Sequence, residues 1–151
     1  MAKRTRFAKA ECPIARSMDA IGDCWSILII RDAMLGLRRF SEFQKNLGLA
    51  KNILTVRLRT LVANGILKTE PVSDGSAYQE YVLTPKGRGV FPVLVALRQW
   101  SEDFAFAPNE RSNILVDRRT GRRVRKLELH SQDGRLLGAE DTEVKAVASA
   151  R

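Results

Sequence analysis

The sequence has few of the residues that an enzyme site or a metal site requires. Its 151 residues include 2 cysteines and 1 histidine. Cys12 and Cys24 are too few to form a ligand cluster for a metal ion, and a nucleophile–base pair would have to recruit His130, in a predicted strand. No glycine-rich phosphate-binding loop is present. These absences predict a protein that is not an enzyme and has no metal or other cofactor.

Long apolar runs are also missing. No run of about 18 apolar residues occurs, which predicts that the protein has no membrane span. Residues 1–6 lack the apolar segment of a signal peptide. Two cysteines without a secretion signal suit a reducing cytoplasm, and the predicted localisation is therefore cytoplasmic.

Positive charge is present in excess. The 26 Lys and Arg residues outnumber the 17 Asp and Glu residues, and the formal net charge is +9. A basic surface indicates a polyanionic partner, most often nucleic acid. The alternative is an arginine-rich protein whose charges serve only solubility.

The stretch from residue 39 to residue 83 predicts the centre of the fold. Leu54, Leu58 and Leu61 recur at helical spacing, which predicts an amphipathic helix over residues 51–64 that ends at Gly65. A shorter helix over residues 40–47 precedes it, with a glycine-containing turn between the two. Two helices joined in this way form a helix-turn-helix.

Two strands are predicted after these helices, at residues 66–70 and 78–83, because residues 73–76 form a turn signal between them. Helix, turn, helix and hairpin together predict a winged helix. Other helices are predicted from Pro13, over residues 24–35 and over residues 85–104, the last with Thr84 as its cap and a bend at Pro92.

The C-terminal third predicts a small antiparallel β meander. Its strands are residues 114–117 and 124–129, with turns at Gly121 and Gly134. The predicted fold class is thus α+β, mainly α. The predicted organisation is a flexible basic arm (1–11), a winged-helix DNA-binding and dimerisation domain (12–106), a C-terminal β extension (107–138) and a disordered tail (139–151).

A set of short motifs in this order resembles the HxlR family of winged-helix transcription regulators. The motifs are Cys12-Pro13, Ile21-Gly22-Asp23-Cys24-Trp25, Arg38-Arg39-Phe40-Ser41-Glu42, Leu54-Thr55, Leu58-Arg59, Leu61, Asn64-Gly65, Glu80-Tyr81, Leu83-Thr84, Gly87, Pro92, Leu94 and Trp100. Each is weak alone, but their number and order are specific. The resemblance covers roughly residues 10 to 105 and implies a homodimeric, DNA-binding repressor or activator.

The residues themselves predict a DNA-binding surface on the second helix of the helix-turn-helix. Asn52 and Thr55 suit base edges, whereas Lys51 and Arg59 suit phosphate or guanine. The full set of predicted DNA contacts is Arg38, Arg39, Lys51, Asn52, Thr55, Val56, Arg57, Arg59 and Lys68. Arg57 lies at the margin of that helix face.

The last helix of the winged-helix domain carries more apolar surface than the domain needs, which predicts a partner chain. The family resemblance also places the first helix in a dimer interface. The predicted dimerisation residues are Ile14, Met18, Val90, Leu94, Leu97, Trp100 and Phe104.

Cys12 is a candidate redox sensor. A thiol at a helix N-terminus near Lys9 and Arg16 has two causes for a lowered pKa, and some members of the resembling family use the matching cysteine as an oxidation sensor. A capping or packing role is the alternative, and Cys24 is predicted to be buried.

Two other interpretations remain open. One is a regulator gated by a small molecule, with a pocket lined by Trp25, Phe91 and Trp100. The other is a winged-helix module that binds protein and not DNA, which would carry an apolar or acidic recognition face.

Overall fold

A computed structural model describes residues 6–146 of the chain. Within these residues, the helices are α1 (Pro13–Ile21), α2 (Cys24–Met34), α3 (Phe40–Leu47), α4 (Lys51–Ala63), α5 (Pro85–Arg88) and α6 (Phe91–Phe104), and the strands are β1 (Leu67–Pro71) and β2 (Gln79–Leu83). The chain forms two compact units that divide after Leu94, inside α6. The fold is mainly helical, as predicted.

The first two helices begin where the sequence predicts helix starts. Pro13 occupies the first turn of α1, where a missing N–H group costs nothing. Asp23 caps α2, and its Oδ1 accepts a hydrogen bond of 2.9 Å from the Ser26 backbone N–H.

The helix-turn-helix consists of α3 and α4. Gly48 ends α3 with φ of 64°, a left-handed conformation that glycine adopts without strain. Leu54, Leu58 and Leu61 of α4 are fully buried, as is Phe43 of α3. These side chains join a core with Ile29 and Ile30 of α2, so burial of one apolar face fixes the orientation of α4.

The wing is the antiparallel pair of β1 and β2, in which Leu67 lies opposite Leu83 and Pro71 opposite Gln79. The Tyr81 backbone N–H donates to the Arg38 carbonyl oxygen at 2.8 Å, which connects the wing to the segment before α3. Together the two helices and this hairpin form the winged helix that the sequence predicts.

The helix predicted between Pro85 and Phe104 is divided into two helices. The prediction of a single helix over residues 85–104 with a bend at Pro92 is wrong, because α5 ends at Arg88 and α6 starts at Phe91. Pro92 therefore lies in the first turn of α6, where no donor is needed. Gly87 sets the position of α5, since a Cβ there would lie 2.2 Å from the Ile66 carbonyl oxygen.

A buried carboxylate connects α2 to α3. Asp32 is fully buried. Its Oδ1 accepts from Arg31 Nε at 2.8 Å, and its Oδ2 accepts from Asn46 Nδ2 at 2.7 Å. A buried carboxylate is tolerated when its oxygens have such partners. The sequence pattern does not mark this residue, because its partner Asn46 lies on another helix.

We expect Asp32→Ala to lower the free energy of unfolding by about 2 kcal/mol, because it leaves polar partners without their acceptor inside the fold. Urea unfolding monitored by circular dichroism measures the change. Glu11→Ala, at an exposed position, is the control and should change stability by less than about 0.5 kcal/mol. An equal cost in the two variants would contradict this role for Asp32.

The second unit contains the C-terminal extension, in which the predicted turns form but the predicted strands do not. Gly121 and Gly134 have φ of 68° and 84°, but pairing is limited to the isolated bridges Val116–Arg123 and His130–Leu136. Gln99 of α6 hydrogen-bonds backbone groups that a neighbouring strand would otherwise pair. Its Oε1 accepts from the Leu127 N–H at 2.8 Å, and its Nε2 donates to the Arg125 carbonyl oxygen at 3.0 Å.

The two ends of the described chain carry local structure where the sequence predicts a flexible arm and a disordered tail. The Phe7 backbone N–H donates to Asp19 Oδ2 at 2.6 Å. Ala139–Asp141 form one turn of 3-10 helix. Residues 1–5 and 147–151, the outer parts of the predicted arm and tail, lie outside the described residues. Within residues 6–146, no helix is both long enough and apolar enough to cross a membrane.

Candidate nucleic-acid interface

The exposed face of α4 is the surface that a helix-turn-helix presents to a groove. Lys51, Asn52, Val56 and Arg59 are exposed along it, on the side opposite the buried leucines. Among residues 6–146, neither Lys51 nor Arg59 has an ion-pair partner within 4.0 Å. This face thus carries two uncompensated cations and an amide beside one small apolar side chain.

Thr55 lies on the same face but is half-buried. Its hydroxyl donates to the Lys51 carbonyl oxygen at 2.7 Å. The hydroxyl hydrogen is therefore engaged within the helix, and the Thr55 oxygen is left as an acceptor for an outside donor.

Arg57 is not on this face, which corrects its predicted placement. Its Nε lies 3.3 Å from Asp23 Oδ1, and the side chain is 28% exposed. Two residues correspond to about 200° of rotation around a helix, so Arg57 and Arg59 point to nearly opposite sides. The partner of Arg57 is the cap of α2, and this ion pair holds α4 to the start of that helix.

Arg38 and Arg39 lie directly before α3, and both contact acidic residues of the wing. Arg38 Nη1 is 3.7 Å and Arg39 Nε is 3.6 Å from the Glu80 carboxylate. Arg39 Nη2 is 3.7 Å from Asp74 Oδ2. The arginine side chains are 57% and 49% exposed, so these are solvated ion pairs, which contribute about 0 to 1 kcal/mol each.

The backbone at this point is fixed by Glu42. Its Oε2 accepts from the N–H groups of Arg39 and Arg38, each at 2.8 Å. These two hydrogen bonds hold the pKa of the Glu42 carboxyl below its usual value. This is the glutamate half of a capping box, and it fixes the backbone of the two arginines where the chain enters α3.

Lys68 on β1 also has an intramolecular partner. Its Nζ is 2.5 Å from Glu70 Oε1 on the same strand. The hydrogen bond from Lys68, together with its charge, lowers the pKa of the Glu70 carboxyl. At the far end of the wing, Tyr78 is 75% exposed.

The predicted dimerisation residues fall into two groups. Val90 is buried in the core of the first unit, which corrects its prediction as a dimerisation residue, and Leu94 is partly buried against that core. The remaining residues are exposed in the described chain, by 72% for Ile14, 43% for Met18, 48% for Leu97, 61% for Trp100 and 74% for Phe104. Leu97, Trp100 and Phe104 follow helical spacing along α6.

Both cysteines are free and exposed. Cys12 is the residue before α1, as predicted, and its side chain makes no capping hydrogen bond. The predicted burial of Cys24 is wrong, because Cys24 is the first residue of α2 and lies on its solvent side.

One cleft of the first unit contains one of the three residues predicted to line a ligand pocket. The first unit contains an open cleft of about 570 Å³ that includes Phe91 but neither Trp25 nor Trp100. It is lined instead by the end of α2, by β2 and by the side chains of Arg38 and Arg88.

The helix-turn-helix with its hairpin defines the winged-helix class of DNA-binding folds. The family profile described as HxlR-like helix-turn-helix matches residues 20–108. The chain belongs to this family, whose members are helix-turn-helix transcriptional regulators.

Similar sequences and solved structures support this family assignment. An HTH-type transcriptional regulator of Mycobacterium tuberculosis is 37% identical over 95 residues, which are 63% of this chain and 60% of the relative, so the match spans less than two thirds of that protein. The crystal structure of PA1607, a candidate transcription factor, is 55% identical, with a TM-score of 0.90 over 93% of this chain and 99% of that chain. The oxidised form of the redox regulator HypR is 31% identical, with a TM-score of 0.56 over 61% of this chain and 96% of that chain.

Proposed function

We propose that this protein is a transcription regulator that binds a pseudo-palindromic operator in double-stranded DNA as a homodimer. The observation that supports this most is the exposed face of α4. Lys51 and Arg59 have no partner within residues 6–146, and they lie on the face that carries Asn52. Cations supply affinity for phosphates, and an amide can read an adenine edge.

In this proposal each residue of the face has a role. Lys51 and Arg59 bind phosphate or guanine, Asn52 and Thr55 contact base edges, and Val56 contacts a thymine methyl group. Arg38, Arg39 and Lys68 each leave a carboxylate partner on the wing and bind a DNA phosphate instead. The exchange is inexpensive because solvated ion pairs contribute little to stability.

The proposed homodimer rests on exposed apolar side chains of α1 and α6. Leu97, Trp100 and Phe104 on α6 are each about half exposed or more, and Ile14 of α1 is 72% exposed. The three α6 residues recur at helical spacing, and contiguous apolar residues of this kind mark an interaction surface. A two-fold dimer would place two copies of α4 in successive major grooves, with half-sites about 34 Å apart.

A module that binds protein instead of DNA is less well supported. Such a module would present an apolar or acidic recognition face, whereas this face carries Lys51 and Arg59.

We expect Asn52→Ala to relax the choice of sequence at one base pair of each half-site, with a loss of about 1 to 3 kcal/mol of discrimination there. Binding to the operator and to all single-base variants of one half-site, measured at fixed salt, gives the discrimination at each position. Gln132→Ala, which removes an exposed amide outside α4, is the control. An unchanged specificity profile in Asn52→Ala would remove this residue from the recognition face.

Oxidation of Cys12 is our proposal for a regulating signal. The thiol is exposed at the start of α1, and the chain is similar in fold and sequence to HypR, a redox regulator. Bulk or a crosslink at Cys12 would change the position of α1, which carries the exposed Ile14 and Met18. A change there would alter the spacing of the two DNA-binding helices. A small-molecule effector in the 570 Å³ cleft is the second candidate.

We expect diamide or peroxide to change operator affinity in the wild type and in Cys24→Ser but not in Cys12→Ser. Gel-shift titrations with and without oxidant, paired with mass spectrometry of the modified thiol, make the comparison. Because both thiols are exposed, Cys24→Ser is a matched control for nonspecific oxidation. An equal response in Cys12→Ser would assign the redox chemistry to another residue.

A further inference from the structure

We propose that the hairpin of residues 117–126 in the second unit is an additional DNA-contact surface, which adds phosphate contacts to those of α4. The hairpin lies beyond residues 20–108, the part that matches the family profile. The inference rests on the proposed DNA-binding function, and it adds a surface to it.

The hairpin contains six cations, of which two have partners. Arg123 Nη2 is 3.0 Å from Glu102 Oε2, and Lys126 Nζ is 2.5 Å from Asp103 Oδ2. The four others are exposed and have no ion-pair partner within 4.0 Å among residues 6–146. These four, which we call the free arginines, are Arg118, Arg119, Arg122 and Arg125.

The two ion pairs place the hairpin on α6, because Glu102 and Asp103 are neighbours in that helix. Gln99, one turn earlier, binds the backbone at Arg125 and Leu127. The base of the hairpin is therefore held by both side-chain charges and backbone hydrogen bonds. Arg123 and Lys126 thus attach the hairpin to α6, whereas the free arginines remain available for a partner.

The turn that carries three of the four free arginines has a defined conformation. The Asp117 N–H donates to the Arg122 carbonyl oxygen at 2.8 Å, and the Gly121 N–H donates to the Asp117 carbonyl oxygen at 2.7 Å. The Asp117 carboxylate, the one acidic group in this stretch, accepts from the Arg119 N–H at 2.8 Å. A fixed backbone reduces the entropy lost when the arginines bind a partner.

The composition of the turn indicates DNA and not an acidic protein as the partner. Residues 117–123 contain no apolar or aromatic side chain, whereas protein interfaces need such residues at their centre. Closely spaced arginines with no apolar anchor match a regular array of phosphates, each of which a guanidinium can bind through two hydrogen bonds.

The test compares two triple variants of the full-length chain that remove the same charge from the second unit. One is Arg118→Ala/Arg119→Ala/Arg122→Ala. The control is Arg111→Ala/Arg135→Ala/Lys145→Ala, which changes exposed cations outside the hairpin. Binding is measured from about 50 to 200 mM salt, a range in which phosphate contacts dominate the change in affinity, on a long duplex containing the operator and on a scrambled duplex.

We expect the hairpin variant to reduce the slope of log affinity against log salt by about 2 or more on both duplexes, since each lost phosphate contact removes about 0.9. The control variant should leave the slope unchanged. The hairpin variant with three lysines should keep most of the slope because it keeps the charge, and thermal unfolding of the alanine variant shows that it is still folded.

An unchanged slope in the hairpin variant, or an equal change in both variants, would overturn the proposal. Poly-glutamate serves as a model of an acidic protein partner. If the hairpin variant lost binding to poly-glutamate but kept its binding to DNA, the proposal would also be overturned. These results are separable from a failure of the proposed function. If the wild type binds the operator and the scrambled duplex equally well, sequence-specific regulation fails, while the slope difference still measures the hairpin.

Discussion

Leu97→Glu is expected to convert the protein to a monomer that binds its operator at least about 100-fold more weakly. Leu97 is 48% exposed beside the similarly exposed Trp100 and Phe104 of α6. If these side chains meet a second copy, the substitution buries an unpaired carboxylate, which costs several kcal/mol. Light scattering after size exclusion at micromolar concentration measures the assembly, and a gel-shift titration measures binding.

Leu35→Glu is the matched control, since Leu35 is 74% exposed at the end of α2. It should remain a dimer. Thermal unfolding of both variants separates loss of assembly from loss of fold. A wild type that is monomeric at micromolar concentration would contradict the proposed dimer, and a dimeric Leu97→Glu variant would move the interface away from this part of α6.

Arg59→Ala is expected to weaken binding to every DNA sequence by about tenfold per half-site, or about 100-fold for a dimer with two copies, and to reduce the salt slope by about 1 per copy. Arg59 is exposed and has no ion pair within residues 6–146. Its removal should therefore leave the melting temperature nearly unchanged. Filter binding across a salt series gives both the affinity and the slope.

Arg57→Ala is a stringent control for this experiment, because it removes an arginine from the same helix on the opposite side. Arg57 pairs with Asp23, the cap of α2. Loss of this partly exposed ion pair should lower stability by at most about 1 kcal/mol and leave the salt slope unchanged. The reverse pattern, in which Arg57→Ala reduces the slope and Arg59→Ala does not, would show that the proposed face is wrong.

The winged helix could be predicted from the sequence because its signals are local. Leu54, Leu58 and Leu61 mark the buried face of α4 by spacing alone. Gly48 marks the end of α3, because glycine readily adopts the left-handed conformation that ends a helix. Lys51 and Arg59 were predicted on the opposite face for the same reason, and the structure exposes both. Periodicity is sufficient wherever one face of an element is buried.

The failures concern contacts between elements distant in the chain. Periodicity leaves a long side chain such as Arg57 free to turn either way, and Asp23 decides its direction only once α2 and α4 pack together. Gly87 of α5 approaches the Ile66 carbonyl oxygen closely, a contact that periodicity does not predict. In the extension, Gln99 replaces a neighbouring strand as the hydrogen-bonding partner. Asp23 precedes a predicted helix start, which marks it as a cap of α2 but not as the partner of Arg57.

The most direct test of the central claim is to recover and sequence the DNA that the purified full-length protein retains from a pool of random duplexes. The account predicts an enriched inverted repeat whose half-site centres are separated by about 10 base pairs or a multiple of that spacing. The same selection with Arg59→Ala should recover much less DNA. Recovery of DNA with no common sequence, or of a single site without two-fold symmetry, would contradict a homodimeric operator-binding regulator.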